Sequence, residues 1–256
     1  MLIHLAAAAV AGAPKAAQYG LMASIREGGP VTILTLAILV IMSAGTLYIL
    51  LTKWWDQQKI MGQARKVRAG FWNHSSLKEA AAKLDKDTPY RQIIDDGLRA
   101  EEQHTLLTDP VDQHDWSLAT MSRSRAAIES KLKSGLSFLA TVGSTAPFVG
   151  LFGTVMGILT ALVKIGASGQ ASIDTVAGPV GEALYMTAIG LAVAVPAVLA
   201  YNWLQGRNKA IIEEMGTFAN DVHGWMASNG AVRPARAGVA KAAVAAKPVA
   251  AVPAKA

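Results

Sequence analysis

An uncharged run of twenty-one residues, Val31–Leu51 (VTILTLAILVIMSAGTLYILL), constrains the fold of this chain more than any other feature. About twenty apolar residues are enough for an α-helix to cross the hydrocarbon core of a bilayer. Two further runs, Gly135–Val163 and Ala183–Leu204, are also uncharged and long enough to span. Charged residues make up only 16% of the chain, whereas about 25% is typical of soluble domains. The sequence therefore predicts an all-α membrane protein with three transmembrane helices.

The distribution of basic residues predicts the side of the membrane on which each connection lies, because cytoplasmic loops carry an excess of lysine and arginine. The connection 52–134 is rich in both, and Arg207 and Lys209 follow the third run, whereas the connection 164–179 contains Lys164 alone. The predicted order is a periplasmic N-terminal segment 1–30, a first span 31–51, a cytoplasmic helical domain 52–134, a second span 135–163, a periplasmic hairpin 164–179, a third span 180–204, a cytoplasmic helix 205–229 and a disordered tail 230–256.

The two ends of the chain differ from the rest in composition. The first fourteen residues, MLIHLAAAAVAGAP, have the apolar stretch and the A-x-A-like end of a signal peptide but lack its positively charged start, so cleavage stays open. The tail 230–256 consists mostly of Ala, Pro, Lys and Val and offers no aromatic anchor. Such a segment cannot bury enough apolar surface to order itself, which is why we expect disorder.

Two helices are expected to extend beyond the membrane. Asp109 is a suitable N-cap, Pro110 suits the first helical position, and no further proline or glycine occurs before Gly135, so one helix is expected to run from the cytoplasm into the second span. The third span is likewise expected to be longer than its apolar core. Ser172 could cap a helix that passes through Pro179 and continues into the cytoplasm. Kinks are expected within the spans at Pro147 and Pro196.

The stretch Gly150–Leu159 (GLFGTVMGIL) is rich in glycine. A phosphate-binding loop would need the pattern G-x-x-x-x-G-K-[ST], and no lysine follows these glycines. Gly153 and Gly157 instead form a G-x-x-x-G pair, with Gly150 on nearly the same face, which lets another helix approach closely in a bilayer. Helix packing is therefore the preferred interpretation of all three glycines.

Three polar side chains in these runs have two interpretations each. Thr154 and Thr187 can each donate a hydrogen bond to the carbonyl four residues earlier in their own helix, or they can line a polar path. Glu182 is the one acidic residue that adjoins any of the three runs. It either marks an ion or proton route or lies near the headgroups at the end of its helix. The residues alone leave these alternatives open.

Other functional classes find little support in the sequence. The formal net charge of +6 reflects basic residues that flank the apolar runs, so we expect no nucleic-acid binding. The chain has no cysteine for a disulfide or a thiolate metal site. No zinc-binding spacing and no G-x-S-x-G elbow occurs, so we expect neither a metal, nor a cofactor, nor an enzyme. Four histidines are expected to be solvated: His74, His104, His114 and His223.

Two stretches resemble the signature of the MotA/TolQ/ExbB proton-channel family, and most closely that of its ExbB branch. They are VGSTAPFVGLFGTVMGI (Val142–Ile158) and GEALYMTAIGLAVAVPAVLAYN (Gly181–Asn202). The similarity is specific across Gly135–Asn202 and does not cover the N-terminus or the tail. The flagellar stator branch fits less well, because its members have four spans.

This resemblance implies a bacterial inner-membrane protein that assembles as a homo-pentameric pore in the lipid bilayer. The pentamer would surround a dimer of an ExbD-like single-span protein and would work with a TonB-like protein. Together they would convert proton flow into work on outer-membrane transport, for example of iron-siderophores. The resemblance also implies that Thr154 and Thr187 face the pore and that Glu182 is the family's glutamate. The titratable aspartate within the membrane would belong to the ExbD-like partner.

One geometric feature departs from a simple pore lining. Regular helical geometry places Glu182 and Thr187 about 140° apart around their helix, so they cannot share one face. Either Glu182 faces a neighbouring subunit at the pore mouth, or Pro179 shifts the local register. Two rival functions are a TolQ-like role in envelope maintenance with TolR and TolA, and a passive membrane scaffold whose glycines only pack.

Overall fold

A computed structural model of the chain describes residues 29–108, 111–168 and 173–233. Helices dominate these ranges, which contain no β-strand. The α-helices are α1 (Gly29–Gly70), α2 (Leu77–Ala82), α3 (Pro89–His104), α4 (Gln113–Lys133), α5 (Leu136–Ser168) and α6 (Ile173–Ala227), and a short 3-10 turn (Phe71–Asn73) follows α1. Three stretches, within Pro30–Asn73, Gln113–Ala167 and Pro179–Ala227, are long and apolar enough to cross a membrane. The predicted all-α class is confirmed, and three helices have the length and composition of the predicted spans.

The chain divides into two compact units. The first, called here the membrane unit, comprises Met1–Trp55 and Lys133–Arg207. The second, called here the aromatic-core unit, comprises Asp56–Leu132 and Asn208–Ala256. Each unit therefore takes part of α1 and part of α6.

Small and branched residues form the buried core of the membrane unit. Its largest buried cluster consists of Leu39, Val142, Ala146, Val193, Ala194 and Ala197. Large apolar side chains lie on the outside instead, among them Ile41, Phe148 and Leu199, which are 68%, 69% and 64% exposed. An apolar surface of this extent is unusual on a soluble domain and suits lipid or a protein neighbour.

Aromatic residues form the centre of the aromatic-core unit. Phe218 packs edge-on against Phe71, with ring centroids 5.4 Å apart, and against Tyr90, at 5.1 Å. A buried amide pair lies in the same unit, where Gln57 Nε2 donates to Asn208 Oδ1 at 2.8 Å. Asn208 Nδ2 in turn donates to the carbonyl of Leu132 at 3.0 Å, so this pair joins α1, α4 and α6.

The prediction of one unbroken helix into the second span is wrong. α4 ends at Lys133 and α5 begins at Leu136, and between them Gly135 has a φ of +83°, in the left-handed region that favours glycine. Lys53 Nζ donates to Ser134 Oγ at 2.8 Å at this turn. The sequence shows that a glycine occupies position 135. Only the backbone angle of that glycine shows that it separates two helices.

The start of α4 also differs from the prediction. The helix begins at Gln113. The residue before it, Asp112, accepts two hydrogen bonds: its Oδ1 accepts from the backbone N–H of His114 at 2.8 Å, and its backbone carbonyl accepts from the N–H of Trp116 at 3.0 Å. Asp112 is thus the N-cap. Asp109 and Pro110, the predicted cap and first helical residue, lie outside the described residues.

α6 follows its predicted course and is helical throughout Ile173–Ala227, including Pro179 and Pro196. The hairpin predicted at 164–179 is largely helical, because α5 continues to Ser168 and α6 begins at Ile173. Residues 169–172, with the predicted cap Ser172, lie outside the described residues. The same holds for the N-terminal segment as far as residue 28 and for the tail from residue 234.

Candidate functional site

Within the membrane unit, α5 and α6 approach closely at Gly150 and Gly190. A Cβ atom added at Gly150 would lie 2.6 Å from the carbonyl oxygen of Met186 and 3.1 Å from the Cα of Gly190. A Cβ added at Gly190 would lie 2.8 Å from the carbonyl oxygen of Ala146. These neighbours are backbone atoms, which cannot rotate away. The two helices therefore touch through their main chains, as small residues permit in a bilayer.

The other two predicted packing glycines lie along the same contact. A Cβ on Gly153 would lie 3.1 Å from both the Cβ of Met186 and the Cγ2 of Thr35, so this position also borders α1. A Cβ on Gly157 would lie 3.1 Å from the Cβ of Ala183. Both sites are tight, but Gly150 is the most constrained of the three, because a Cβ there would lie 2.6 Å from a main-chain oxygen.

Thr154 and Thr187 meet across this contact. The two hydroxyl groups are hydrogen-bonded to each other, and Thr154 Oγ1 lies 3.0 Å from the carbonyl oxygen of Ala183 and 3.1 Å from that of Gly150. A hydroxyl donates one hydrogen and accepts up to two. If Thr187 donates to Thr154, Thr154 still has a proton for either carbonyl. The hydroxyl of Thr154 thus contacts its own helix and α6 at once.

Glu182 lies buried on α6, one residue before Ala183. Its side chain is 7% exposed within a single chain. Two threonines of α1 are buried in the same unit, Thr32 at 5% and Thr35 at 2% exposed, and Thr35 donates to the carbonyl of Val31 at 2.9 Å. The structure therefore brings Thr154 and Thr187 into direct contact and buries Glu182.

The chemistry available here is proton binding and hydrogen bonding. A threonine hydroxyl holds its proton at any physiological pH, so Thr154 and Thr187 can orient or relay but cannot store charge. A carboxylate can bind and release a proton, which leaves Glu182 as the titratable member of this group. Such residues inside a membrane protein commonly mark ion or proton routes.

The predicted kink residues lie in the same helices. α5 continues through Pro147, and α6 through Pro179 and Pro196, without leaving the helical conformation. The kinks at Pro147 and Pro196 stay predictions.

Sequence reasoning missed two members of this contact, Gly190 and Thr35. The signal for Gly190 is its position three residues after Thr187, on the same helical face. The corresponding signal for Thr35 is that it follows Thr32 by three residues, which places both threonines on one face of a helix. Neither signal identifies the opposing residue on another helix, which only the packed structure supplies.

The expectation that all four histidines are solvated is wrong for His223. This side chain is 8% exposed in the aromatic-core unit, and its Nε2 lies 2.9 Å from Nδ1 of His114. Burial, and then the neighbouring His114, lower the pKa of His223 below its ordinary value. No group of three potential metal ligands occurs among the residues that the structure describes.

The chain is 38% identical over 208 residues to the biopolymer transport protein ExbB of Xanthomonas campestris pv. campestris (strain B100). The matched region covers 77% of this chain and 82% of that protein. It is 39% identical over 171 residues to the ExbB protein of Neisseria gonorrhoeae, covering 63% and 78%. The Tol-Pal system protein TolQ of Pseudomonas aeruginosa (strain PAO1) is 40% identical over 159 residues, covering 59% and 68%.

A sequence profile for the MotA/TolQ/ExbB proton channel family matches residues 85–217. This range runs from just before α3 to within α6 and includes the Gly150–Gly190 contact and both threonines. The profile and the extent of the ExbB matches together establish that the chain belongs to the MotA/TolQ/ExbB proton channel family.

Proposed function

We propose that this chain is the ExbB-type subunit of an inner-membrane complex that uses the proton motive force to energise outer-membrane transport. The proposed complex contains a homo-pentamer of this chain, an ExbD-like single-span protein and a TonB-like protein. The observation that carries the proposal is the hydrogen-bonded pair Thr154–Thr187, together with the buried Glu182 on the same helix as Thr187, in a proton-channel family. Such a complex would do mechanical work and would catalyse no bond formation.

The composition of the spans supports the proposal that a single-span partner supplies part of the proton path. Glu182 adjoins the start of the third run, and the three runs themselves contain no charged residue. A proton crossing the bilayer would need a second titratable group deeper in the membrane, and a single-span partner would supply it. Each proton that moves down the membrane potential releases about 2.3 kcal/mol per 100 mV, which a conformational step would have to capture.

The proposed orientation follows from the basic residues. The N-terminus would be periplasmic and the C-terminus cytoplasmic, because lysine and arginine concentrate in 52–134 and after the third span.

We expect substitutions at Glu182 and Thr187 to reduce proton-dependent transport without preventing assembly. The variants are Glu182→Gln, which keeps the shape and removes the charge, and Thr187→Val, which removes the hydroxyl alone. Loss of such a group from a transport step should lower proton-dependent siderophore uptake by about tenfold or more in cells that lack their own copy.

Thr160→Val is the matched control, since Thr160 is an exposed threonine of α5 whose hydroxyl donates to the carbonyl of Met156 at 2.9 Å. Its uptake should stay at the wild-type level. Membrane abundance of each variant is measured by immunoblotting. If Glu182→Gln and Thr187→Val assemble and support full uptake, the proposed motor role of these residues is wrong.

The match to TolQ favours a second candidate, an envelope-maintenance subunit in a Tol-Pal system. Co-purification from native membranes separates the two, because the mass of the complex and the identity of its single-span partner differ. Rescue of detergent sensitivity, rather than of siderophore uptake, would favour the TolQ-like function. A homo-oligomer that retains no single-span partner would contradict both.

A further inference from the structure

Three tryptophans and three basic residues border the points where the chain enters or leaves the membrane unit. The unit's first segment ends at Trp55, and its second segment runs from Lys133 to Arg207. The proposed transport function uses none of these residues. We name the set the basic–aromatic belt and define it by six residues: Lys53, Trp54, Trp55, Lys133, Trp203 and Arg207.

Contacts within the membrane unit place this belt at one level of the helices. Lys53 Nζ donates to Ser134 Oγ at 2.8 Å, which brings the end of this part of α1 beside the start of α5. Ile49, one turn earlier on the same face of α1, packs against a buried cluster that includes Leu204 of α6. Leu204 directly follows Trp203. Three helices therefore contribute to the belt at the same level.

The tryptophans of the belt are exposed as in a membrane interface. Trp55 is 71% and Trp203 44% exposed, and the rings of Trp54 and Trp55 lie edge to face with centroids 6.5 Å apart. Tryptophan is enriched where a span meets the headgroups, because its ring is apolar and its indole N–H is polar. Toward the span, the exposed residues of α1 include Tyr48 and Leu51. The surface of α1 therefore changes from apolar to aromatic and basic within about two helical turns.

The charges of the belt favour an anion. Residues 30–55, 130–173 and 183–212 contain no acidic residue, and the nearest acidic residues along the chain, Asp56 and Glu129, belong to the aromatic-core unit. The guanidinium carbon of Arg207 lies 4.7 Å from the ring centroid of Trp203, a cation–π contact that holds the charge beside the aromatic ring. Basic clusters of this kind between transmembrane helices bind anionic headgroups.

A second copy of the chain would not neutralise this charge. Every copy that crosses the bilayer in the same orientation brings the same three basic residues to the same depth, so contact between copies adds positive charge there. An anionic lipid supplies the opposite charge. Its acyl chains also cover the exposed apolar side chains of α1, which a free anion would leave uncovered.

We propose that the basic–aromatic belt binds the headgroup of an anionic phospholipid of the phosphatidylglycerol class. The phosphodiester accepts from the ammonium groups of Lys53 and Lys133 and from the guanidinium of Arg207. The tryptophan rings lie at the level of the lipid's glycerol, and the acyl chains lie along α1. The inference requires that the chain spans a bilayer and does not depend on the proposed transport function.

Native mass spectrometry of the full chain in detergent tests this proposal. Phosphatidylglycerol and phosphatidylcholine with identical acyl chains are titrated separately, and the bound fractions give the dissociation constant of each lipid. We expect the wild type to prefer phosphatidylglycerol. Lys53→Gln/Lys133→Gln should weaken the binding of that lipid by about five- to thirtyfold, since each basic residue at an anionic surface contributes about fivefold. The binding of phosphatidylcholine should not change.

Two matched variants separate charge from structure. Lys53→Arg/Lys133→Arg keeps both charges and should bind phosphatidylglycerol as the wild type does. Lys83→Gln/Lys86→Gln removes the same number of charges from exposed positions between α2 and α3 and should also have no effect. Equal affinity for phosphatidylglycerol in the wild type and in Lys53→Gln/Lys133→Gln overturns the proposal, and so does an equal loss in Lys83→Gln/Lys86→Gln.

Glycerol phosphate, which carries the phosphate without acyl chains, distinguishes a lipid from a free anion. It should fail to displace phosphatidylglycerol at equal concentration, and displacement would overturn the lipid as the occupant. Should Lys53→Gln/Lys133→Gln fail to fold, the wild type alone decides the question in vesicles that contain both lipids in equal amounts. Tryptophan fluorescence should then be quenched more when only phosphatidylglycerol is brominated than when only phosphatidylcholine is, and high salt should remove the difference. Equal quenching at low salt overturns the proposal.

Discussion

At the scale of single residues, the membrane unit depends on the absence of a side chain. Gly150 and Gly190 bring the main chains of α5 and α6 into contact, and the same contact places the hydroxyls of Thr154 and Thr187 within hydrogen-bonding range. The glycines and the threonines are therefore coupled. A change that separates the helices also separates the hydroxyls.

We expect Gly150→Ala to destabilise the chain by about 1–3 kcal/mol, because the added Cβ would lie 2.6 Å from a main-chain oxygen. The matched control is Gly166→Ala in the same helix, where a Cβ would meet nothing within 4 Å. That substitution should be neutral or slightly stabilising, since alanine favours helix. Unfolding of the purified variants in mixed detergent measures both. Equal stability of the two variants would contradict the contact described here.

At the scale of helices, the separation of α4 from α5 depends on Gly135. Its φ of +83° suits glycine, and a Cβ at this position would lie 3.3 Å from Cγ2 of Ile49. We expect Gly135→Ala to lower stability by about 1–2 kcal/mol, because alanine is strained in the left-handed region. Gly135→Asn should lose less, since asparagine tolerates this conformation better. Thermal unfolding followed by circular dichroism gives both values, and identical losses would show that backbone strain is not the cause.

The contact between α4 and α6 in the aromatic-core unit should depend on pH through His223, which lies against His114. Because the pKa of His223 is lowered in the folded state, the folded state favours its neutral form. This contribution is fully present above the ordinary pKa of 6.5 and is lost as the pH falls below it. The raised pKa of Asp221 acts in the opposite direction. A variant that removes only the histidine is therefore needed to separate the two.

We expect the wild type to melt at a lower temperature at about pH 5 than at about pH 8, and His223→Gln to reduce that difference. Burial disfavours the charged imidazolium form of His223, which gives the effect its sign. His74→Gln, at a half-exposed histidine, is the control and should leave the difference unchanged. An unaltered difference in His223→Gln would assign the acid sensitivity to other groups.

At the scale of the whole molecule, the properties that could be predicted from the sequence are local ones. Three apolar runs identify three spans, and glycines four residues apart identify a packing face, because both depend on neighbouring positions along one helix. The course of α6 through Pro179 follows from the same local reading. The chemistry of Thr154 alone left open whether its hydroxyl bonds its own helix or lines a polar path. The family resemblance favours the second interpretation.

The contacts that could not be predicted from the sequence join residues that are distant along the chain. His223 contacts a residue 109 positions away, so no local pattern could show its burial. The residue that Gly150 packs against likewise lies on another helix, so the sequence around Gly150 could not identify it. The break at Gly135 is a different case, since a glycine within a helix and a glycine between two helices look alike until the backbone angle is known.

The buried pair Gln57–Asn208 has a consequence for the evolution of the chain. One residue added to or removed from α1 before Gln57 would rotate that amide by about 100° around the helix and break its bond to α6. A compensating change would have to occur simultaneously in α6. Insertions and deletions among relatives should therefore be rare in this part of α1 and should accumulate in non-helical connections such as 74–76 and 83–88.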